Sequence, residues 1–462
     1  MAMPRPKEVY LLEEVLKRPL HPSLDVMGPR NRKCYELDNT GTIVGLNLRH
    51  CRLKDGEFLQ EFPRLRSLDL GVNEISDGGF LQTLPHLTSL DISNNCILDW
   101  SFLDGLPNLK SLDLGTAHLA DVGFLKTLSR LTSLSLGNNH ISEWSFLKAL
   151  PNLTFVNLSN TGIDDGSPLR DLYHLDTLRL DNTEITEWSF LRDLPQLKSL
   201  DVSYNLNAST MIRHYPPGLT SLICRGNKLS DADFLRHLPC LTSLDISNNC
   251  IADLSLLTEL PRLFSINLDS NGITNAGMLD SLVNLGSLSL GDNPITDWSF
   301  LSNLPNLVSL DLSHNFIIDC GFLTRSSQLN SLMLCYNQIR DGRFLRHLPK
   351  LKSLGLRNNQ ISDGAFLASP PSLQTLCLQN NEIQDGDWLI EQPFLQTLDL
   401  RNNQVRKLPT SMLTMKTEIE SREVDETLHN SINIYGNPLQ HPPLNVVAHG
   451  HVAIASWLTE FC

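Results

Sequence analysis

The feature that most constrains this chain is a count. From Pro63 to Pro393 a unit of 22 residues recurs without insertion or deletion, reading P-x-L-x-x-L-x-L-x-x-N-x-I-x-D-x-x-F-L-x-x-L. Pro85, Leu87, Leu90, Ile92, Asn95, Ile97, Asp99, Phe102 and Leu103 display one copy. An earlier copy with a worn beginning (Ile43, Leu46, Leu48, Leu53, Phe58, Leu59) brings the total to about seventeen units. A fixed period of this length specifies stacked supersecondary units, a solenoid in which each coil touches its neighbours.

One unit can be read physically. The closing leucines of L-x-x-L-x-L are two apart, so they share one face of a strand while the residue between them faces the other way. Gly, Ser, Asn and Asp follow at once, which limits the strand to three or four residues. The recurrent Asn (Asn95, Asn139, Asn271 and their equivalents) stands among core residues. A buried amide needs partners, so the expectation is a ladder bonding the backbones of adjacent coils. Thr161, Thr183 and Cys51 can substitute in part, whereas Ala117 cannot and marks a weaker junction. Ile, Phe and two Leu in the second half pack back against the strand. No coil covers its own apolar face, so both ends require caps. Residues 1–40 read as an N-terminal cap with a short helix from Glu8 to Lys17, and 41–408 as the array. Residues 409–462 read as a C-terminal cap. It holds a charged stretch, Lys416–Glu423, a last strand within Ile432–Leu439 and a helix from Val446 to Leu458.

The net charge of −14 disfavours a phosphate-backbone binder, so no nucleic-acid partner is expected. Much of the acidity is periodic. Asp or Glu recurs just ahead of the return segment (Asp77, Asp99, Asp121, Glu143, Asp165), where its oxygen can accept the free N–H groups that open a helical turn. Asp69, Asp91, Asp113, Asp201, Asp245, Asp311 and Asp399 lie between the strand leucines. Stacking places neighbours about 5 Å apart, and they read as a solvated structural ladder rather than as catalytic carboxylates. Trp100, Trp144 and Trp188 recur every 44 residues, with Trp298 later, and read as packing on the convex side.

No H-E-x-x-H, G-x-S-x-G, kinase set, nucleotide fingerprint or metal-spaced Cys/His cluster occurs. The chain therefore reads as a non-enzyme with no cofactor, no metal and no small-molecule substrate. His441, His449 and His451 read as solvated or packing residues. The ten cysteines lack paired spacing and C-x-x-C, which is reduced, cytosolic usage. No apolar run approaches the ~18 residues of a membrane span, and the start, Met1–Lys7, lacks the apolar stretch of a secretory signal. A cytoplasmic protein without membrane insertion is expected.

The consensus resembles that of leucine-rich repeat proteins over about residues 41–408. The unit length and the ending I-x-D-x-x-F/P-L, seen best in Ile163-Asp164-Asp165-Gly166-Ser167-Pro168-Leu169, are similar to the internalin type and to the protein phosphatase 1 regulatory type. Internalins carry signal peptides and surface anchors that this sequence does not display, so the resemblance implies fold and not adhesion. The tail, Asn437-Pro438-Leu439 through Pro442-Pro443 to Trp457-Leu458, resembles the last cap of Roco repeat arrays. The GTPase that follows in that family is not implied, because no G-x-x-x-x-G-K-[ST] loop occurs. The resemblance implies an α/β repeat solenoid, a horseshoe or arc. Its concave parallel β-sheet would hold about 17 short strands, with mostly short-helical or irregular convex segments.

Such a sheet runs on the order of 80 Å and is the usual recognition face of solenoids. Ser, Asp and Gly fill most of its exposed positions, so information lies in the departures. One group is Phe155, Arg179, Asp181, Tyr204, Ile223 and Arg225, around an irregular coil, Asn205–Pro217, that reads either as drift tolerated by a surface loop or as a bend or docking site. The other is Met333, Cys335, Tyr336, Arg357, Cys377 and Arg401. Both mix aromatic or apolar residues with Arg, the composition of interface hot spots. The expected function is a protein-protein interaction module, a scaffold or regulatory subunit whose protein partner is unidentified. The alternative is a secreted or delivered bacterial effector or surface ligand that binds a host protein.

Overall fold

The computed structural model describes residues 7–17, 19–23, 27, 34–205, 215–216, 218–408, 418–420, 431–447, 449, 453–454 and 456–457. Two compact units divide the chain, Met1–Asn227 and Lys228–Cys462. Most of the irregular coil within Asn205–Pro217 lies outside the described residues. So do most of the charged stretch Lys416–Glu423 and parts of the helix expected from Val446 to Leu458.

The first unit opens with a helix, Lys7–Leu16, that buries Val9 and Leu12. The strand Cys34–Leu37 then pairs antiparallel with Ile43–Asn47. The turn between them is held by Asp38, whose carboxylate accepts the N–H groups of Thr40 (2.8 Å) and Thr42 (3.0 Å). Repeat periodicity gives no hint of this antiparallel start, because it lies ahead of the first full unit. From Ile43–Asn47 to Ser221–Ile223 the strands run parallel in a fixed register, with Leu46 opposite Leu68, Leu68 opposite Leu90 and Leu200 opposite Leu222. In the second unit the same ladder runs from Ser243–Asp245 to Thr397–Asp399. Seventeen strands share the 22-residue spacing between Ile43–Asn47 and Thr397–Asp399, as the sequence predicts. The fold is a leucine-rich-repeat solenoid of short parallel strands and short return turns.

The asparagine ladder explains the strictness of the count. Asn271 Nδ2 donates to Leu268 O in its own coil (3.0 Å) and to Ile246 O in the preceding one (2.9 Å), while its Oδ1 accepts from Ile251 N (3.1 Å). Each such amide satisfies backbone groups that a short strand leaves open, in a buried setting where an unmade bond costs about 1–3 kcal/mol. Thr161 supplies only the bond within its own coil, to Leu158 O (2.6 Å), while the Thr183 hydroxyl lies within hydrogen-bond reach of both Leu180 O in its own coil (3.1 Å) and Asn205 Oδ1 in the next (2.9 Å). Ala117 has no side-chain acceptor to offer the Asn95 and Ile97 N–H groups, so this rung of the ladder is missing.

The return segment is a single 3-10 turn in most coils, as at Ser101–Gly105, where Leu103 N donates to Trp100 O (3.1 Å). The recurrent acid caps it. Asp99 Oδ1 accepts from Ser101 N (2.9 Å), Asp253 from Ser255 N (2.9 Å), and Asn275 plays the same part for Gly277 N (2.9 Å). Behind these turns Phe rings pack over glycines of the preceding coil, Phe80 over Gly56, Phe102 over Gly78 and Phe366 over Gly342. Phe190 likewise packs against Gly166, where any Cβ would collide with the ring. Where the glycine is replaced by Trp100, Phe124 stacks on the indole instead, at 5.7 Å and 9°. Trp100, Trp144, Trp188 and Trp298 are all buried, which is the packing role expected of them.

In the second unit the period breaks once and recovers. Ser431–Asn433 pairs parallel with Thr397–Asp399, placing Leu398 opposite Ile432. Asn437 then takes the next rung, donating to Leu400 O (2.8 Å) and Ile434 O (2.9 Å) and accepting from Val405 N (3.0 Å).

Candidate functional site

Residues two apart on a strand face the same way, so the open face of each ladder presents two main columns and a third at its turn margin. The alternate strand positions, filled by Leu and in places by Val156, Ile266 or Ile432, are buried.

In the first unit the predicted residues converge. Phe155 stands opposite Thr177, and the Arg179 guanidinium lies over its ring at 5.7 Å. A cation on an aromatic face contributes about 0.5–1 kcal/mol at exposed sites and fixes both groups in place. Asp181 accepts a hydrogen bond from the Ser159 hydroxyl. Tyr204 is 53% exposed and lies over Gly226, where an added Cβ would come within 2.6 Å of its ring. Ile223, half-buried, stands opposite Asp201. The Arg225 N–H donates to Ser203 Oγ (3.2 Å), and its carbonyl accepts from Tyr204 N (2.7 Å).

In the second unit the centre is Tyr336, 42% exposed. His314 of the preceding coil stacks on its ring at 4.2 Å and 15°, and the guanidinium of Arg357 from the next coil lies over it at 5.7 Å. Three coils thus hold one planar stack at the turn margin. Met333 stands beside it, between Asp311 and Gly355. Cys335 and Cys377 are half-buried. Burial pushes both thiols up, Cys377 to about 12, with the Asp399 carboxylate adding to the effect there.

Arg401 departs from the expectation. It is 8% exposed, and its Nε and Nη2 donate to the Asp399 carboxylate at 2.7–3.1 Å. Asp399 sits two residues earlier on the same strand face, so the guanidinium folds onto it instead of reaching a partner. The acidic ladder also differs from the solvated row expected. Asp69, Asp91 and Asp399 are buried, while Asp113, Asp201, Asp245 and Asp311 are half-buried.

Two contributors escaped sequence reasoning. Arg49 in the first coil bridges Asp91 at 2.8 Å and Asp69 at 3.7 Å, and Asn47 Nδ2 donates to Asp69 (2.8 Å). Burial, and then the neighbouring Asp91 charge, raise Asp69 to about 6 despite these partners. His314 is the other. Both are departures from the Ser, Asn and Gly that fill these columns elsewhere, which is the signal that could have found them.

In the C-terminal segment His441 packs on Trp457 at 5.8 Å and His449 Nδ1 contacts Asn445 O at 2.7 Å, while His451 lies outside the described residues. Among the described residues no three His, Cys, Asp or Glu side chains are grouped to hold a metal ion, every cysteine is a free thiol, and no helix is long and apolar enough to cross a membrane.

Comparison with known proteins agrees with the fold. A family model described as leucine-rich repeats in two copies matches residues 85–127, 129–171, 217–260, 284–325 and 371–411. The chain carries leucine-rich repeats, a fold that generally serves protein interaction. No curated protein matches by sequence. Among solved structures, a leucine-rich-repeat protein of Leptospira interrogans is 23% identical, covering 84% of this chain and 94% of that one, with a TM-score of 0.53. TLR13, solved in complex with ssRNA13, is 20% identical over 79% of this chain and 71% of that one, with a TM-score of 0.52. These likenesses concern the fold alone. An internalin of Listeria monocytogenes is 28% identical over 68% of this chain and 86% of that one, with a TM-score of 0.46.

Proposed function

We propose that this leucine-rich-repeat chain is a non-enzymatic module that binds a protein partner on the open face of its strands, as a scaffold or regulatory subunit in the cytosol. The observation that carries this reading is the His314–Tyr336–Arg357 stack. An exposed tyrosine held between a histidine at 4.2 Å and an arginine at 5.7 Å loses little conformational entropy when a partner covers it. Tyr and Arg are the residue types that dominate interface energetics when they become buried. Phe155, Arg179 and Tyr204 repeat the combination in the first unit. The free thiols of the described cysteines fit a reducing compartment, and the net charge of −14 favours a protein over a phosphate backbone as ligand.

The test is affinity capture from native lysate with the wild-type chain and with Tyr336→Ala/Arg357→Ala, compared by mass spectrometry. The double variant is expected to lose specific partners at an unchanged circular dichroism spectrum. Arg401 is left intact, because its removal strands the Asp399 carboxylate. Undiminished capture by the variant would overturn the assignment of this surface.

A further inference from the structure

Arg357 is the single formal charge in an acid-free window of the strand face. Over the three coils Ser331–Tyr336, Ser353–Asn358 and Thr375–Asn380 the columns of the open face hold no Asp or Glu. Every other run of three successive coils in the array carries at least one Asp there. The strand register sets Met333, Gly355 and Cys377 side by side, so the window is continuous in space. In a chain of net charge −14 it is a local reversal of sign.

The guanidinium is held in place but not satisfied. It lies over the Tyr336 ring at 5.7 Å, and His314 braces that ring at 4.2 Å. Its Nε is hidden from water with no hydrogen-bond partner, and among the described residues no carboxylate pairs with it. Arg49 and Arg401, at the same repeat position, are each taken by an Asp, at 2.8 Å and 2.7 Å. Asn358, next along the turn margin, repeats the shortage. Its Oδ1 accepts from Asn380 Nδ2 (2.7 Å), but its own Nδ2 is hidden with no acceptor. Two donors in one window thus lack an acceptor, and a buried polar group left unpaired is costly.

We propose that this window receives an acidic segment of the protein partner, with one Asp or Glu carboxylate on the Arg357 guanidinium and an apolar neighbour over Tyr336 and Met333. The proposal rests on the binding function above and names the chemistry of the partner at the same surface. The terminal nitrogens of Arg357 form a fork that matches a carboxylate in bidentate fashion. Met333, Cys335 and Cys377 surround the fork with weakly polar groups, where such a bond is stronger than in water. A carboxylate fits better than a phosphate group. The window offers one cation, which balances one negative charge, whereas a phosphate monoester carries about −1.5 to −2.

The test pans a random peptide library displayed on phage against the immobilised full chain. The library is first depleted on Tyr336→Ala/Arg357→Ala, which removes peptides that bind elsewhere. Recovered peptides are expected to share an Asp or Glu next to an apolar residue. A synthetic consensus peptide should bind Arg357→Gln about 10-fold more weakly, and changing its acid to the amide should cost as much. The two changes together should cost no more than either alone. The amide peptide leaves the protein untouched, so the test stands even if the variant misfolds. Full affinity for Arg357→Gln, or for the amide peptide, overturns the proposal. Peptides lost by Tyr336→Ala that share no acid overturn the carboxylate but leave the binding surface standing. A library that yields nothing after depletion overturns both. Tenfold tighter binding of a peptide with phosphoserine in place of the acid overturns the carboxylate in favour of a phosphate.

Discussion

Arg401 grips Asp399 at 2.7–3.1 Å with both side chains almost wholly withdrawn from water. Coulomb attraction and three hydrogen bonds offset the desolvation of two ions, and neither ion is tolerable alone. Arg401→Ala is expected to cost about 3–5 kcal/mol of unfolding free energy. Arg401→Met combined with Asp399→Leu should recover most of that loss, because it removes both charges. Urea denaturation of the two variants checks this, and equal losses in both would refute it.

The missing rung at Ala117 makes a gain testable. Ala117→Asn offers an acceptor to the Asn95 and Ile97 amides and a donor to the preceding coil, and it should stabilise the first unit by roughly 1 kcal/mol. Asn139 makes the full set of bonds, to Leu114 O (2.9 Å) and Leu136 O (2.7 Å) and from Leu119 N (2.9 Å). Asn139→Ala should therefore lose about 2–3 kcal/mol. Opposite shifts of the denaturation midpoint at constant slope are the expected readout.

Asp69 gives the first unit a pH dependence with a definite sign. Its folded carboxyl is raised from 3.8 to about 6 by burial and by Asp91, so the native state binds more protons than the unfolded state between those values. The ionised group is unfavourable above that range, and the penalty is relieved as pH falls through 6 toward 4. Asp69→Asn is expected to be more stable than wild type by on the order of 2 kcal/mol at about pH 7.5, with the difference fading by about pH 4. A difference that does not change with pH would contradict the assignment.

Gly166 is the floor on which Phe190 lies. Gly166→Ala pushes a methyl group into a packed ring, and overpacking of this kind costs about 1–3 kcal/mol. Thermal melts should register the loss. The same change at Gly162, where an added Cβ meets nothing within 4 Å but φ is +71°, should act only through backbone strain of about 1 kcal/mol.

What the repeat dictates was legible in the sequence. Leu90, Asn95, Asp99 and Phe102 recur for reasons that one coil reveals: strand face, amide ladder, turn cap and stacked ring. What depends on a neighbour in space was less so. Arg401 reads as an exposed hot spot until Asp399, two residues back, is recognised as sharing its face. The burial of Asp69 requires Arg49 and Asn47 to be seen closing over it, and both stand in the degraded first copy. The antiparallel start at Cys34–Leu37 lies where no period operates. Tyr336 and Arg357 were legible as departures; His314 departs from its column as well, but its part in the site shows only when it is seen stacked on Tyr336 of the next coil.

The break between Asn403 and Asn437 has a practical consequence for the second unit. The ladder amides gauge only whether the next rung arrives at the right height; they do not sense how much chain was spent reaching it. A foreign loop could therefore be grafted at that crossing, or a whole coil excised upstream, and the remaining rungs would close as before. Such a unit is adjustable in length and extensible at one seam, which makes it a ready frame for displaying an inserted epitope.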